Sequence, residues 1–304
     1  MSLTVVGSIA LDSVRTPFGE REHMLGGSAV HFALAAGFFA DVHVVGPVGD
    51  DFPDEHLELL RARGVNVDDV ERVGSGETFR WRGHYEADMN LAHTDATELG
   101  VFADFEPKLS PASSGADVLF LGNIQPDLQR RVREQCSPRL AALDSMNLWI
   151  DTARDSLEAA IATVDCVLLN DSEIRMLTEQ PNLARAARKV MDLGPRIVIA
   201  KRGEYGAVMF TEEGSFALPG VLLDEVRDPT GAGDSFAGGF LGYLDVQGTE
   251  PTEQALRRAV AYGTVLASFN VQEFGVERVA TLSEEEVGER YEALRAMTLF
   301  EPPA

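Results

Sequence analysis

The chain has 304 residues and a mass of 33.0 kDa, with 26 basic against 49 acidic side chains and a net charge of −23. That balance excludes a nucleic-acid partner, whose phosphate backbone would be repelled, and no apolar run approaches the roughly 20 residues that span a bilayer. Hydrophobic content of 45% with 25% charged residues is that of a globular protein large enough for one α/β domain.

In chain order, residues 3–8 read as a buried first strand with no basic region before it, so no signal peptide is expected and the protein is placed in the cytoplasm. A polar extended segment at about 12–25 follows. Gly26 and Gly27 then open a small-residue helix at 28–39 that carries His31. A strand at 42–45 leads to Gly46-Pro47-Val48-Gly49-Asp50-Asp51 and a helix at 54–63. From Thr78 to Tyr85, Phe79, Trp81 and Tyr85 alternate with Arg80, Arg82 and His84, a period of two with one aromatic and one basic face. Together with 12–25, the stretch at about 76–103 is expected to form a small β-sheet projecting from the main domain; the competing reading is an ordinary surface hairpin.

Beyond it, short apolar runs at 118–121, 140–143, 166–169 and 197–200 alternate with helical patterns near 154–163, 172–178, 182–192 and 252–269. This alternation predicts a mainly parallel sheet with helices on both faces. Ser283 with Glu286 has the spacing of a capping box that opens a last helix. Cys136 and Cys166 lack any CxxC spacing and are expected to be reduced, and no HxxxH or HxH pair points to zinc. Lysine occurs only at 108, 189 and 201. An acidic, lysine-poor surface suits a salt-rich cytoplasm, or reflects compositional bias alone.

The most informative segment is Asp228-Pro229-Thr230-Gly231-Ala232-Gly233-Asp234, which runs into the apolar-periodic Phe236, Ala237, Phe240, Leu241 and Leu244. A glycine turn opening into a helix presents free N–H groups beside the positive end of the helix dipole, a ready anion site. A carboxylate there is out of place for a plain phosphate cradle, but it is needed where a hydroxyl must lose its proton while attacking a phosphate. The local reading is phosphoryl transfer with Asp234 as base; the plain alternative is an acidic residue favoured by the dipole.

The full string from Asp228 to Gly239 resembles the second diagnostic motif of the PfkB/ribokinase family of sugar and nucleoside kinases, and further segments in matching order extend the resemblance over most of the chain. The family's fold is a three-layer α/β/α sandwich with a mainly parallel central sheet, and the small β-sheet would be its lid, often also a dimer contact; a single domain and a homodimer through the lid are therefore expected. The resemblance implies Asp234 as base, with the backbone of Gly231, Ala232 and Gly233 stabilising the transferred group. It places Asp12, Gly26, Gly27, His31 and Asn147, the last in a segment similar to the family's D-x-x-N, at the acceptor, with Trp81 in the lid above it.

Asn170 and Glu173 match the family's N-x-x-E and would act through water on Mg²⁺ and the nucleotide phosphates. Lys201 and Gly203 resemble its nucleotide turn, which competes with a plain hairpin, and Thr230 and Ser268 complete the nucleotide set. ATP and Mg²⁺ are thus the implied cofactors. K⁺ beside Asp228 is the option known from some relatives, the alternative being that Asp228 only caps its turn. Two departures stand out: His31 where many sugar kinases have Asn, and Lys201 where threonine is usual. The expected acceptor is a sugar or, alternatively, a nucleoside; a catalytically silent ligand-binding relative is the third reading. No GxxxxGK[ST] and no HRD or DFG sequence is present, so P-loop and protein-kinase chemistry are excluded.

Overall fold

The structure is a computed structural model that describes residues 2–300. The chain enters through β1 (Ser2–Val6) and leaves the main body at once for the hairpin β2 (Ala10–Thr16) and β3 (Gly19–Gly26). It returns through α1 (Ser28–Ala36), β4 (Asp41–Val48), α2 (Asp54–Ala62) and β5 (Asn66–Arg72), and departs again for β6 (Phe79–Tyr85) and β7 (Ala92–Glu98). A regular alternation follows: α3 (Pro111–Ser114), β8 (Val118–Leu121), α4 (Pro126–Glu134), β9 (Leu140–Asp144), α5 (Asn147–Thr152), α6 (Arg154–Ile161), β10 (Cys166–Asn170), α7 (Asp171–Thr178), α8 (Leu183–Met191) and β11 (Ile197–Lys201). The hairpin β12 (Ala207–Thr211) and β13 (Gly214–Leu218) closes the sheet, and α9 (Ala232–Gln247), α10 (Glu253–Asn270), α11 (Glu277–Thr281) and α12 (Glu284–Thr298) complete the chain.

Nine strands form the main sheet in the order β13-β12-β11-β10-β9-β8-β1-β4-β5, parallel except for the β11–β12 and β12–β13 pairs. The central strands are buried on both faces, which is why they read as unbroken apolar runs. Alternation along them feeds two cores. Val118 and Phe120 join one with α1, α9 and α10, while Leu119 and Leu121 join the other with α4, α6, α7 and α8. The result is three layers. On the first side, Phe32 and Phe120 stack at 4.3 Å between ring centres. There α1 and α9 approach so closely that a Cβ on Gly238 would stand 2.3 Å from the Phe32 carbonyl oxygen.

The second sheet has the order β3-β2-β6-β7, with β2 and β6 parallel and the outer pairs antiparallel. Its register sets Asp12 beside Trp81. The expected capping box at Ser283 and Glu286 is present, with the Ser283 N–H donating to Glu286 Oε2 at 3.0 Å and the Glu286 N–H to Ser283 Oγ at 3.3 Å. Among the described residues, no helix is long and apolar enough to cross a membrane.

Candidate active site

Strand β1 lies between β8 and β4, so the chain winds away from it in both directions. Ligands of open α/β sheets bind beyond the carboxyl ends of the strands at such a reversal. Three polar residues stand at those ends: Asp144 closes β9, Asn170 closes β10 and Lys201 closes β11. The Lys201 ammonium forms an ion pair with the Asp144 carboxylate. Asp144 Oδ1 also accepts the Ser145 N–H at 2.8 Å. Burial works against the Lys201 charge, but the carboxylates of Asp144, Glu173 and Asp234 outweigh it and raise its pKa. Gln129 fixes the strand end from below, its Nε2 donating to the carbonyls of Gly122 at 2.8 Å and Asp144 at 2.9 Å.

The turn between β13 and α9 arrives over this pair. Gly231 caps α9 with φ at 74°, a conformation that costs glycine little. A Cβ on Gly233 would stand 2.9 Å from Lys201 Nζ, so the ammonium lies against the turn. The N–H groups of Gly231 and Gly233 have no acceptor among the described residues. Ala232, expected as a third donor, is committed: its N–H donates to the Pro229 carbonyl at 3.1 Å. Asp234 sits in the first turn of α9, partly buried, and burial together with the Asp144 charge lifts its carboxyl to about 7 against the pull of Lys201.

Asp228 accounts for the shape of the loop. Its Oδ1 accepts the Thr230 N–H and its Oδ2 the Gly275 N–H, both at 2.9 Å, tying the turn to the loop after α10. Tyr85 from the small sheet reaches the same place, its hydroxyl 3.3 Å from Thr230 Oγ1.

Within electrostatic reach of Asp234, Asp12 on β2 is buried, its Oδ2 accepting the Gly27 N–H at 3.1 Å. The paired glycines are needed for this approach. A Cβ on Gly26 would stand 2.0 Å from Asp12 Oδ2, and one on Gly27, at φ 93°, 2.4 Å from the Ser8 carbonyl oxygen. Burial pushes the Asp12 carboxyl up to about 7 despite the Gly27 N–H, with the charges of Asp228 and Asp234 adding to it. Asp12, Asp228, Asp234, Asp144 and Lys201 thus form one chain of charge from the small sheet to the end of β11.

The remaining predicted residues are more dispersed. Asn170 and Glu173 form the capping box of α7, each backbone N–H donating to the other's side chain at 2.8 Å. Burial and the Asp144 charge still lift Glu173 to about 7, so it belongs electrostatically to the Lys201 cluster. Trp81 lies across Gly83 and donates from Nε1 to Thr94 Oγ1 at 3.2 Å, remaining within its own sheet. Asn147 is exposed at the start of α5 and accepts the Leu148 N–H at 3.0 Å. Ser268 is buried against α12, donating to the Val265 carbonyl at 2.7 Å and accepting from Arg290 at 3.2 Å, so its hydroxyl is already occupied.

Gly203, at φ 54°, faces Asn90 from the β6–β7 loop. Asn90 Oδ1 accepts the Glu204 N–H and its Nδ2 donates to Glu204 Oε1, both at 3.2 Å. His31 is buried beneath the turn with Nδ1 2.9 Å from Asn270 Oδ1, and burial drives its pKa down to about 4. Sequence reasoning missed Asn270, Asn90 and Gln129. Asn270 left one signal, a lone amide at the end of an otherwise apolar-periodic helix.

A model of the pfkB family carbohydrate kinases matches residues 4–281. A cytidine kinase of Thermococcus kodakarensis is 31% identical over 251 residues, which cover 79% of this chain and 87% of the relative. An ATP-dependent ribose-1-phosphate kinase of Halopiger xanaduensis is 30% identical over 256 residues, 80% of each chain. In fold, the chain is similar to a nucleoside kinase of Burkholderia thailandensis solved with inosine, with a TM-score of 0.79 at 19% identity, covering 96% of this chain and 97% of that one.

Proposed function

The chain belongs to the pfkB family of carbohydrate kinases, and from that premise we propose that it transfers the γ-phosphoryl group of ATP to a hydroxyl of a sugar or of a nucleoside's sugar ring. One observation carries this reading: Asp234, with its carboxyl raised to about 7, directly follows a turn whose Gly231 and Gly233 N–H groups are unspent, and its charge acts on the buried Asp12. Such a carboxylate is a base near neutral pH, and the unspent donors suit the charge on a phosphoryl group.

In the proposed step the acceptor oxygen forms its bond to the γ-phosphorus as the bond to the β-phosphate oxygen breaks. The acceptor proton passes to Asp234 and ADP leaves. A positioned base contributes roughly 10²–10⁴-fold, and each preorganised donor about 3–4 kcal/mol. Positioning and electrostatics dominate this chemistry. Asp12 is the proposed partner of the acceptor's hydroxyls, since a carboxylate accepts from two neighbouring O–H groups at once. Lys201 is the proposed counter-charge for the phosphates.

Mg²⁺ fits as an ion held by the nucleotide phosphates and water, with Glu173 and Asn170 proposed to hold it through that water. Among the described residues no three His, Cys, Asp or Glu side chains converge as direct ligands. Bound there, it would supply charge neutralisation to the phosphates. K⁺ beside Asp228 stays an option of the proposal: each of its carboxyl oxygens accepts one backbone N–H and keeps a second lone pair. A homodimer through the small sheet and a cytoplasmic location remain part of the proposal, the latter supported by two buried free thiols.

The test is ADP release across a panel of sugars, sugar phosphates and nucleosides with Mg²⁺ and ATP. Acceptor-dependent release with a phosphorylated product supports the reading. Tight acceptor binding without ADP release would replace it with a silent binding protein.

A further inference from the structure

Asn270, the last residue of α10, is fully buried and makes three polar contacts with the turn that carries Asp234 and with the helix beneath it. Its Nδ2 donates to the Thr230 carbonyl at 2.7 Å, just before Gly231. Its Oδ1 accepts from Ser235 Oγ at 3.0 Å, just after Asp234. The same Oδ1 lies 2.9 Å from His31 Nδ1 on α1. One amide therefore grips the turn on both sides of Gly231-Ala232-Gly233-Asp234.

The orientation of that amide follows from chemistry. A carbonyl only accepts, so the Nδ2 edge must face Thr230 and the oxygen must face two donors. His31 therefore carries its proton on Nδ1. Its ring is packed so tightly under the turn that a Cβ on Gly231 would stand 2.2 Å from Cγ, and burial keeps the imidazole neutral with a pKa of about 4. The second nitrogen, Nε2, is buried and has no partner among the described residues.

We infer that Asn270 is a positioning residue of the phosphoryl-transfer site, with His31 as its support from α1: the pair sets the turn so that the free N–H groups and the Asp234 carboxylate keep one alignment. The inference rests on the reading of this turn given under Proposed function. It also gives the histidine at position 31 a task beneath the turn, in place of contact with the acceptor. Backbone bonds already tie the loop to α9, the Ser235 N–H donating to the Gly231 carbonyl at 2.8 Å, but among the described residues none ties α1 to either, and the Asn270 amide joins all three.

The experiment measures kcat and both KM values for Asn270→Ala, Ser235→Ala and, alongside, Asp234→Asn, with thermal unfolding of each. In wild-type protein labelled with ¹⁵N-histidine, NMR reads the His31 tautomer directly. Misalignment of an otherwise intact turn predicts a kcat loss of about tenfold or more in Asn270→Ala, with each KM within about threefold. A smaller loss in Ser235→Ala and an Nδ1–H tautomer at His31 are expected with it. Folded Asn270→Ala with kcat within about twofold of the parent overturns the inference, as does a rise in KM alone. If Asn270→Ala does not fold, an Nε2–H tautomer in the wild type or an unchanged Ser235→Ala overturns it. Asp234→Asn separates the two layers: its full activity would remove the underlying reading, whereas an inactive Asp234→Asn beside a fully active Asn270→Ala removes this inference alone.

Discussion

Asp12 is held at odds with folding. Its folded pKa of about 7 lies above the ordinary carboxyl value because burial disfavours its charge. A carboxyl raised in this way contributes stability that is full below the unfolded pKa and is lost as pH rises through the folded one. Above pH 7 the protein therefore carries an ionised buried group, whose proposed use is to meet the acceptor's hydroxyls. Asp12→Asn keeps an oxygen for the Gly27 N–H and removes the charge. Urea unfolding at pH 8 should find the variant more stable than the parent by on the order of 2 kcal/mol, with the difference gone at pH 4. An equal difference at both pH values would show that the charge is not its origin. Gly27, by contrast, is fixed by geometry, because the Ser8 carbonyl occupies the space a side chain would need.

At the scale of elements, legibility in the sequence followed burial. Strands β8 to β11 were readable because both faces are covered and their residues run apolar without a break. β5 was not, since Asp68, Asp69, Glu71 and Arg72 crowd it, and β7 was covered only by the stretch at about 76–103, because Ala92–Glu98 has no apolar alternation of its own. Both lie at sheet edges, where charge blunts further pairing and hides the strand from any hydrophobic pattern. The site divides similarly. Asp234 was singled out by its glycine turn and Asp12 through the resemblance, whereas Asn270 meets His31 across 239 positions and left only its place as an amide at the end of an apolar-periodic helix.

The β6–β7 loop is a comparable case, since Asn90 meets Glu204 only through the fold. That contact joins the small sheet to the turn after β11, over the Lys201 end of the site. If the small sheet acts as the lid that the resemblance implies, Asn90→Ala should loosen it and admit water, raising ADP release relative to phosphorylated product by about two- to tenfold. An unchanged ratio with unchanged KM values would show that the contact has no part in closure.

For the molecule as a whole, a charge of −23 spread over one chain sets self-repulsion against compactness. The proposed nucleotide site nevertheless needs positive potential, and the proposal assigns it to Lys201 and the free N–H groups of the Gly231 turn. Salt should relieve the repulsion without removing these buried partners: unfolding temperature is expected to rise by at least about 5 °C between roughly 0.1 and 2 M KCl, and a flat profile would contradict that. The three layers bring the strand ends, the turn and the small sheet to one place, and the proposed chemistry depends on the carboxylate at its centre. Single-turnover phosphoryl transfer by Asp234→Asn, measured beside nucleotide affinity, tests this most directly. The account predicts affinity within about threefold of the parent and transfer slowed by roughly 10²–10⁴-fold; transfer within a few fold of the parent would contradict it.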